Sequence, residues 1–252
     1  YEALLAQSAE WSAAPATKGG KLLLLSGGST GCPKIVERPY ADDPNTPRQS
    51  VALAHMPHSA ESVILVSAPL YHTGPLGWLL GGLEIGAHVV VMERWDAMRQ
   101  LEAVQRYGVT HMPLVPTMMS RLLELPYETR ASFDLSSLVA VSHSAAPCSL
   151  ALKRRFMEWI PALWSGYSMT ESFGLTVISP DEWLTHPGSV GRAVPWCDIT
   201  IRDEAGVKLP PGETGVVWFS RHDKRRMQYF GNASETEASY NTNGEGTSFD
   251  LG

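Results

Sequence analysis

Short apolar runs alternate along this chain with longer stretches in which apolar positions recur every three or four residues. The runs at 22–25, 63–66, 87–92, 110–115, 138–141 and 162–164 are too short for helices and predict buried strands. Between them, 76–83, 96–107, 116–125 and 149–159 carry the spacing of amphipathic helices. In 96–107, Met98, Leu101, Val104 and Tyr107 form one apolar stripe, and 116–125 opens with Pro116, a residue suited to a first helical turn. Strand and helix taking turns predicts an α/β fold, a mostly parallel sheet flanked by helices. From about Gly188 the pattern changes. Residues 198–202 and 214–220 read as short alternating strands joined by Gly206 and Pro210-Pro211-Gly212, a small antiparallel or barrel-like unit. The expected division is therefore 1–187 for the α/β part and 188–252 for the small β part. Residues 1–20, rich in Ala and Ser and ending in Gly19-Gly20, predict a short helix and a loop. Residues 37–60, with Pro39, Pro44, Pro47 and Pro57, predict a connection.

Composition narrows the class. With 44% hydrophobic residues in 252 the chain can bury a substantial core, and a formal charge of −6 argues against a general binder of nucleic acid or of a membrane surface. No apolar run approaches the length of a membrane span, and the chain opens without a cationic-then-apolar leader. Cys32, Cys148 and Cys197 are odd in number and widely spaced, so they predict neither a disulfide framework nor a metal site. The expectation is a cytoplasmic protein with reduced thiols.

The segment most charged with chemistry is Ser26-Gly27-Gly28-Ser29-Thr30-Gly31-Cys32-Pro33-Lys34, which follows the strand at 22–25. Small residues let backbone approach an anion, and amides, hydroxyls and one ammonium can then surround phosphate oxygens. It is not a Walker loop, because Pro33 rather than glycine precedes Lys34 and Ile35 follows it. The spacing of Gly27, Gly28 and Gly31 also differs from the dinucleotide fingerprint. Position by position it resembles the phosphate loop of the adenylate-forming superfamily, which includes acyl-CoA synthetases, aryl-CoA ligases, luciferases and the adenylation domains of peptide synthetases.

Further segments resemble the same family in the same order. Pro69-Leu70-Tyr71-His72-Thr73-Gly74 is similar to the segment whose histidine abuts the carboxylate substrate. The resemblance implies His72, Thr73, Gly74 and Trp78 as substrate-binding residues. Ser144-Ala145-Ala146-Pro147 resembles the adenine-lining segment, implying Ala145, Ala146 and Pro147 as nucleotide contacts. Ser165-Gly166-Tyr167-Ser168-Met169-Thr170-Glu171 resembles Tyr-Gly-x-Thr-Glu, with Ser168 at the usual glycine. It implies Gly166, Tyr167, Ser168 and Met169 around the nucleotide, Thr170 on the α-phosphate and Glu171 as the ligand for Mg²⁺. Gly188-Ser189-Val190-Gly191-Arg192 and Gly212-Glu213-Thr214-Gly215 match connecting segments. Ser248-Phe249-Asp250-Leu251-Gly252 resembles Thr-Gly-Asp-Leu-Gly, whose aspartate binds ribose, so Asp250 is implied there although Phe249 replaces a glycine.

The resemblance implies an AMP-forming acid–thiol ligase that uses ATP, Mg²⁺ and coenzyme A to convert a carboxylic acid into a thioester, with Lys34, His72, Thr170 and Glu171 as its catalytic residues. It maps onto the middle of a longer enzyme, with the C-terminal lobe absent. The expectation is therefore a central part of the large lobe, inactive in isolation. Residues 69–78 contain no acid to receive an amino group, and Leu70, Pro75, Leu76 and Trp78 suit an apolar acyl group. A fatty acid is the first expectation, a bile-acid side chain or an aryl acid the others. No nucleic acid and no stable membrane insertion are expected. Two other classes compete: a nucleotide-binding module without catalysis, and a P-loop hydrolase, which the proline before Lys34 disfavours.

Overall fold

The structure, a computed structural model, describes residues 22–26, 33–38 and 52–252. The expected helix in 1–20, the loop residues Gly27, Gly28, Ser29, Thr30, Gly31 and Cys32, and much of the connection at 37–60 lie outside the described residues.

Strands β1 (Leu22–Leu25) and β2 (Ile35–Arg38) pair antiparallel, Leu25 opposite Ile35 and Leu22 opposite Arg38. The four leucines read as a buried strand, but only Leu24 is buried; Leu23 and Leu25 are 51% and 55% exposed. The run is uniform in sequence, yet a strand turns successive side chains to opposite faces, and only one face of this hairpin is covered. Glu37 and Arg38, expected to open the connection at 37–60, complete β2, the partner of β1.

The main sheet has seven strands. β3 (Val63–Val66), β4 (His88–Val91), β5 (His111–Leu114), β6 (Ala140–His143) and β7 (Leu163–Tyr167) run parallel in the order β4-β3-β5-β6-β7. β8 (Thr176–Ile178) and β9 (Arg192–Ala193) extend it antiparallel. Helices α1 (Thr73–Glu84), α2 (Ala97–Tyr107), α3 (Pro116–Glu124), α4 (Tyr127–Ala131) and α5 (Leu150–Trp159) join the parallel strands, and α6 (Pro180–Thr185) follows β8. The α/β expectation holds. Local chemistry sets the helix ends. The Asp96 side chain accepts from Arg99 N at 3.0 Å to start α2, and Gly108 closes it in the left-handed region. Ser149 caps α5, and Ser179 with Glu182 forms a capping box at α6.

Leu65, Leu101, Met112, Leu122, Val141, Phe156 and Leu163 are fully buried where the helices meet the parallel strands. Each such side chain contributes roughly 1.5–3 kcal/mol relative to exposure. The expected stripe of α2 is borne out at Leu101 and Val104, while Tyr107 ends 41% exposed.

β10 (Cys197–Arg202) and β11 (Val216–Arg221) form the expected antiparallel pair. β12 (Gln228–Tyr229), which the sequence pattern did not reveal, returns to pair with β2, Tyr229 opposite Val36. It is followed by α7 (Ala233–Ala238). Val36, Phe173, Val217, Phe219, Met227 and Tyr229 share a second core, so the loop-bearing hairpin packs against segments nearly 200 positions away in sequence. The chain end is likewise tied down: Gly252 N donates to Gly215 O at 2.9 Å, and Leu251 bridges Val216. No helix of the described residues is long and apolar enough to cross a membrane.

Gly191, in one of the family-like connecting segments, has φ +92°, and a Cβ there would lie 2.0 Å from Val177 O. Gly191→Ala is expected to destabilise the protein by roughly 3 kcal/mol or more, because strain and a backbone clash add. Urea unfolding checks this; an unchanged midpoint would show that the β8–β9 edge carries no such constraint.

Candidate active site

The mouth of the Gly/Ser loop is closed by two hydrogen bonds. Ser26 N donates to Lys34 O at 2.8 Å, and Lys34 N donates to Ser26 Oγ at 3.0 Å. Both ends of the loop are thus held by the β1–β2 hairpin. The Lys34 ammonium forms an ion pair with Glu235 of α7 and lies 5.0 Å from the centre of the Tyr229 ring. Tyr229 in turn donates its phenolic hydrogen to Glu171 Oε1 at 2.9 Å. One strand further along the hairpin, Arg38 Nε donates to Thr170 O at 2.7 Å and Arg38 Nη2 to Met169 O at 3.3 Å. The structure therefore brings Lys34, Thr170 and Glu171 to one place, although 136 positions separate Lys34 from Thr170 in the sequence. Burial lowers the Arg38 pKa to about 10, with Glu171 opposing the shift, so the guanidinium remains charged near neutrality. Burial, and then the charge of Glu171, raise the Tyr229 phenol well above its ordinary range, leaving it a neutral donor.

Two further segments emerge from the carboxyl ends of adjacent parallel strands, the edge where open α/β sheets receive ligands. Behind β6, Ala145, Ala146 and Pro147 are exposed, with Ala145 in the left-handed region at φ +70°. Along and behind β7, Gly166 and Tyr167 precede Ser168, whose hydroxyl donates to Gly174 O at 2.8 Å. The Tyr167 ring stacks on Phe219 at 5.9 Å, and its hydroxyl donates to Asp250 Oδ2 at 2.6 Å. Ser248 Oγ donates to the same oxygen at 2.9 Å. Phe249, at the position where the family pattern has glycine, takes φ +65°, the backbone glycine would adopt without strain.

A family model described as AMP-binding enzyme matches residues 10–224. The chain belongs to the AMP-binding enzyme family. It is 28% identical over 228 residues to a probable CoA ligase, CCL5, of Humulus lupulus, covering 88% of this chain and 41% of that protein. It is 36% identical over 173 residues to the 4-coumarate–CoA ligase-like protein 3 of Oryza sativa subsp. japonica, covering 65% and 29% respectively. Among solved structures it is similar to o-succinylbenzoate coenzyme A synthetase (MenE) of Bacillus subtilis in complex with ATP and magnesium ion. That likeness has a TM-score of 0.78 at 26% identity and covers 91% of this chain and 46% of that one. The chain spans less than half the length of each of these three relatives.

Within this AMP-binding chain, the expected substrate residues fall in two environments. His72 stands at the N-cap of α1, exposed, its ring 4.5 Å from that of Tyr71. Gly74 is exposed, whereas Thr73 Oγ1 is buried without a hydrogen-bond partner among the described residues. Trp78, expected to face an acyl group, is instead a core side chain, 4% exposed and packed with Leu53, Ile64, Val66 and Ala140. Trp78 shares the inward face of α1 with Gly82, one turn on, so its ring is taken up by the core.

As for a metal, no group of three or more His, Cys, Asp or Glu among the described residues is placed to hold one. Mg²⁺ carried on nucleotide phosphates keeps several waters and takes only one or two protein carboxylates, so a lone Glu171 beside Lys34 and Thr170 fits that donor set.

Sequence reasoning missed Arg38, Tyr229 and Glu235. The β-branched pair Ile35-Val36 was the available signal for β2, and nothing local marks Tyr229. It also missed a buried cluster beneath the β6 and β7 ends: Lys153 of α5 donates to Ser165 Oγ, which lies 2.8 Å from His143 Nε2. An ammonium can only donate, so Ser165 accepts from it and passes its own hydrogen to His143. Lys153 also lies 4.5 Å from the Trp183 ring centre. Burial, and then Lys153, lower the His143 pKa to about 4, and burial lowers Lys153 to about 8. For His143 the folded value lies below the unfolded one of 6.5, so the unfolded chain binds more protons between pH 6.5 and 4 and stability falls as pH falls through that window. The expected loss is about 3 kcal/mol. His143→Gln is expected to flatten that part of a plot of unfolding free energy against pH; an unaltered slope would remove His143 as its source.

Proposed function

We propose that this chain forms the nucleotide-binding part of an AMP-forming acid–thiol ligase that activates an apolar carboxylic acid and transfers it to coenzyme A. The observation that carries the reading is the convergence of Lys34, Thr170 and Glu171 through Tyr229 and Arg38. A phosphate-binding loop, a hydroxyl and a metal-binding carboxylate are what an attack on the α-phosphorus of ATP requires at one point.

In the first step a carboxylate oxygen of the acid attacks the α-phosphorus, the bond to the bridging oxygen breaks and pyrophosphate leaves, giving an acyl-adenylate. In the second, a thiolate attacks the acyl carbon, a thioester forms and AMP departs. The protein needs no nucleophile of its own. Lys34 exchanges Glu235 for the β- and γ-phosphate oxygens, and the loop residues Gly27, Gly28, Ser29, Thr30 and Gly31 supply amides and hydroxyls. Thr170 donates to the α-phosphate. Mg²⁺ bound at Glu171 supplies charge neutralisation on the phosphates. Ala145, Ala146, Pro147, Gly166 and Tyr167 line the adenine side, with Ser168 and Met169 beside them, and Asp250 receives the ribose hydroxyls. His72, Thr73 and Gly74 face the acid carboxylate.

The preference for an apolar acid rests on the absence of any acidic residue in 69–78. The names of the relatives, 4-coumarate–CoA ligase-like and o-succinylbenzoate CoA synthetase, put aryl acids beside fatty acids as candidates. Exchange of labelled pyrophosphate into ATP by the product of the full coding sequence, over a panel of fatty, aryl and amino acids, tests the reading. Acid-dependent exchange with an apolar acid is the expected result. Nucleotide binding with no exchange for any acid would instead leave a binding module.

A further inference from the structure

Tyr229 touches both halves of the phosphate site, Lys34 with its ring and Glu171 with its hydroxyl. Its side chain is 8% exposed and sits in the second core, fixed by pairing of β12 with β2. Its backbone N–H donates to Thr236 Oγ1 at 2.9 Å, which anchors it to α7 as well. From that rigid seat the hydroxyl reaches Glu171 Oε1 at 2.9 Å, while the ring face supports the Lys34 ammonium at 5.0 Å. A phenol has one hydrogen to give, and it is committed to one carboxylate oxygen. Among the described residues Oε2 of Glu171 receives no hydrogen bond. A carboxylate pinned at one oxygen presents the other in a fixed direction, the arrangement by which outer hydrogen bonds orient metal-binding carboxylates.

We propose that Tyr229 is a positioning residue: its hydroxyl aims the free oxygen of Glu171 at the metal of the bound nucleotide, and its ring holds Lys34 over the same phosphates. The inference rests on the reading of the site as one for Mg²⁺-ATP, and it separates two contributions that one side chain makes. Removing only the hydroxyl frees Glu171 and leaves the ring under Lys34. Removing the ring as well affects both.

The test is isothermal titration of this chain with ATP, with Mg²⁺ and in EDTA. Wild type is expected to bind ATP more tightly with Mg²⁺. Tyr229→Phe is expected to lose tenfold or more of the Mg²⁺-dependent gain, while affinity in EDTA changes less than about threefold. Tyr229→Leu is expected to weaken binding in EDTA as well, since the cation–ring contact goes. In a Glu171→Gln background the further Tyr229→Phe change should have almost no effect, because the hydroxyl acts through the carboxylate. A general packing defect would lower both affinities alike and would persist in that background; either result, or an intact Mg²⁺-dependent gain in Tyr229→Phe, overturns the inference. Should wild type fail to bind ATP under both conditions, the ligase reading itself falls.

Discussion

In the product of the full coding sequence, Thr170→Ala is expected to slow acid-dependent pyrophosphate exchange by about a hundredfold or more. The magnitude follows from what a preorganised donor to a developing oxyanion contributes, about 2.7–4 kcal/mol. The structure makes the variant a clean one. Thr170 is tied to the hairpin by its backbone carbonyl, which accepts from Arg38 Nε at 2.7 Å, and its hydroxyl has no hydrogen-bond partner among the described residues. Alanine keeps the backbone carbonyl that Arg38 holds and removes the hydroxyl together with the γ-methyl; Thr170→Val, which keeps the methyl, isolates the loss of the donor. Nucleotide affinity should therefore change little while turnover falls. Exchange within a few-fold of the parent would refute the role of the hydroxyl, and an equal fall in ATP affinity would place it in ground-state binding.

Arg38→Leu should act in the opposite manner, on binding and stability together. The guanidinium donates to Thr170 O and Met169 O and lies near the charge of Glu171, all within a partly buried setting. Leucine fills some of the volume but leaves the Thr170 carbonyl without its donor and Glu171 without its cationic neighbour. Met169 O keeps the Ser172 N–H at 3.0 Å. The expected cost is about 2–4 kcal/mol of stability, with ATP affinity weakened at least tenfold. Arg38→Lys restores the charge without the planar fork and should recover only part of the loss. Thermal unfolding and ATP titration of the two variants check this. If the leucine variant bound ATP like the parent, the hairpin would not be what holds Thr170 and Glu171 in place.

Both predictions concern contacts between β2 and the loop after β7, and these illustrate what could be read from the chain. The central strands at 63–66, 87–92 and 110–115 and the helices at 96–107, 116–125 and 149–159 appear within one to two residues of their expected bounds. Each is a local pattern: apolar period, a capping Asp or Ser, a proline or a glycine at the end. Strand β6 lies two residues beyond its expected start, because Leu138 and Val139, as apolar as the strand, follow the turn at Ser136–Ser137 and bend before Ala140 enters the sheet. The helices of five or six residues, α4, α6 and α7, are too short to carry a period. Strand β12 is defined only by its pairing with β2, nearly 200 positions away in the sequence.

By itself, the amino-acid sequence determined the alternating α/β architecture, the antiparallel unit that follows it, and the short segments that resemble the AMP-binding family. Those properties reside in short windows, where period, residue type and order suffice. Only the tertiary structure decided that β1 is half exposed, that Trp78 belongs to the core, and that Lys34, Thr170 and Glu171 meet through Arg38 and Tyr229. A hydrogen bond between residues 58 or 132 positions apart leaves no period in either segment. The bond of Tyr229 to Glu171 exists because β12 pairs with β2, beside the shared core of Val36, Phe219 and Tyr229, rather than by any local preference.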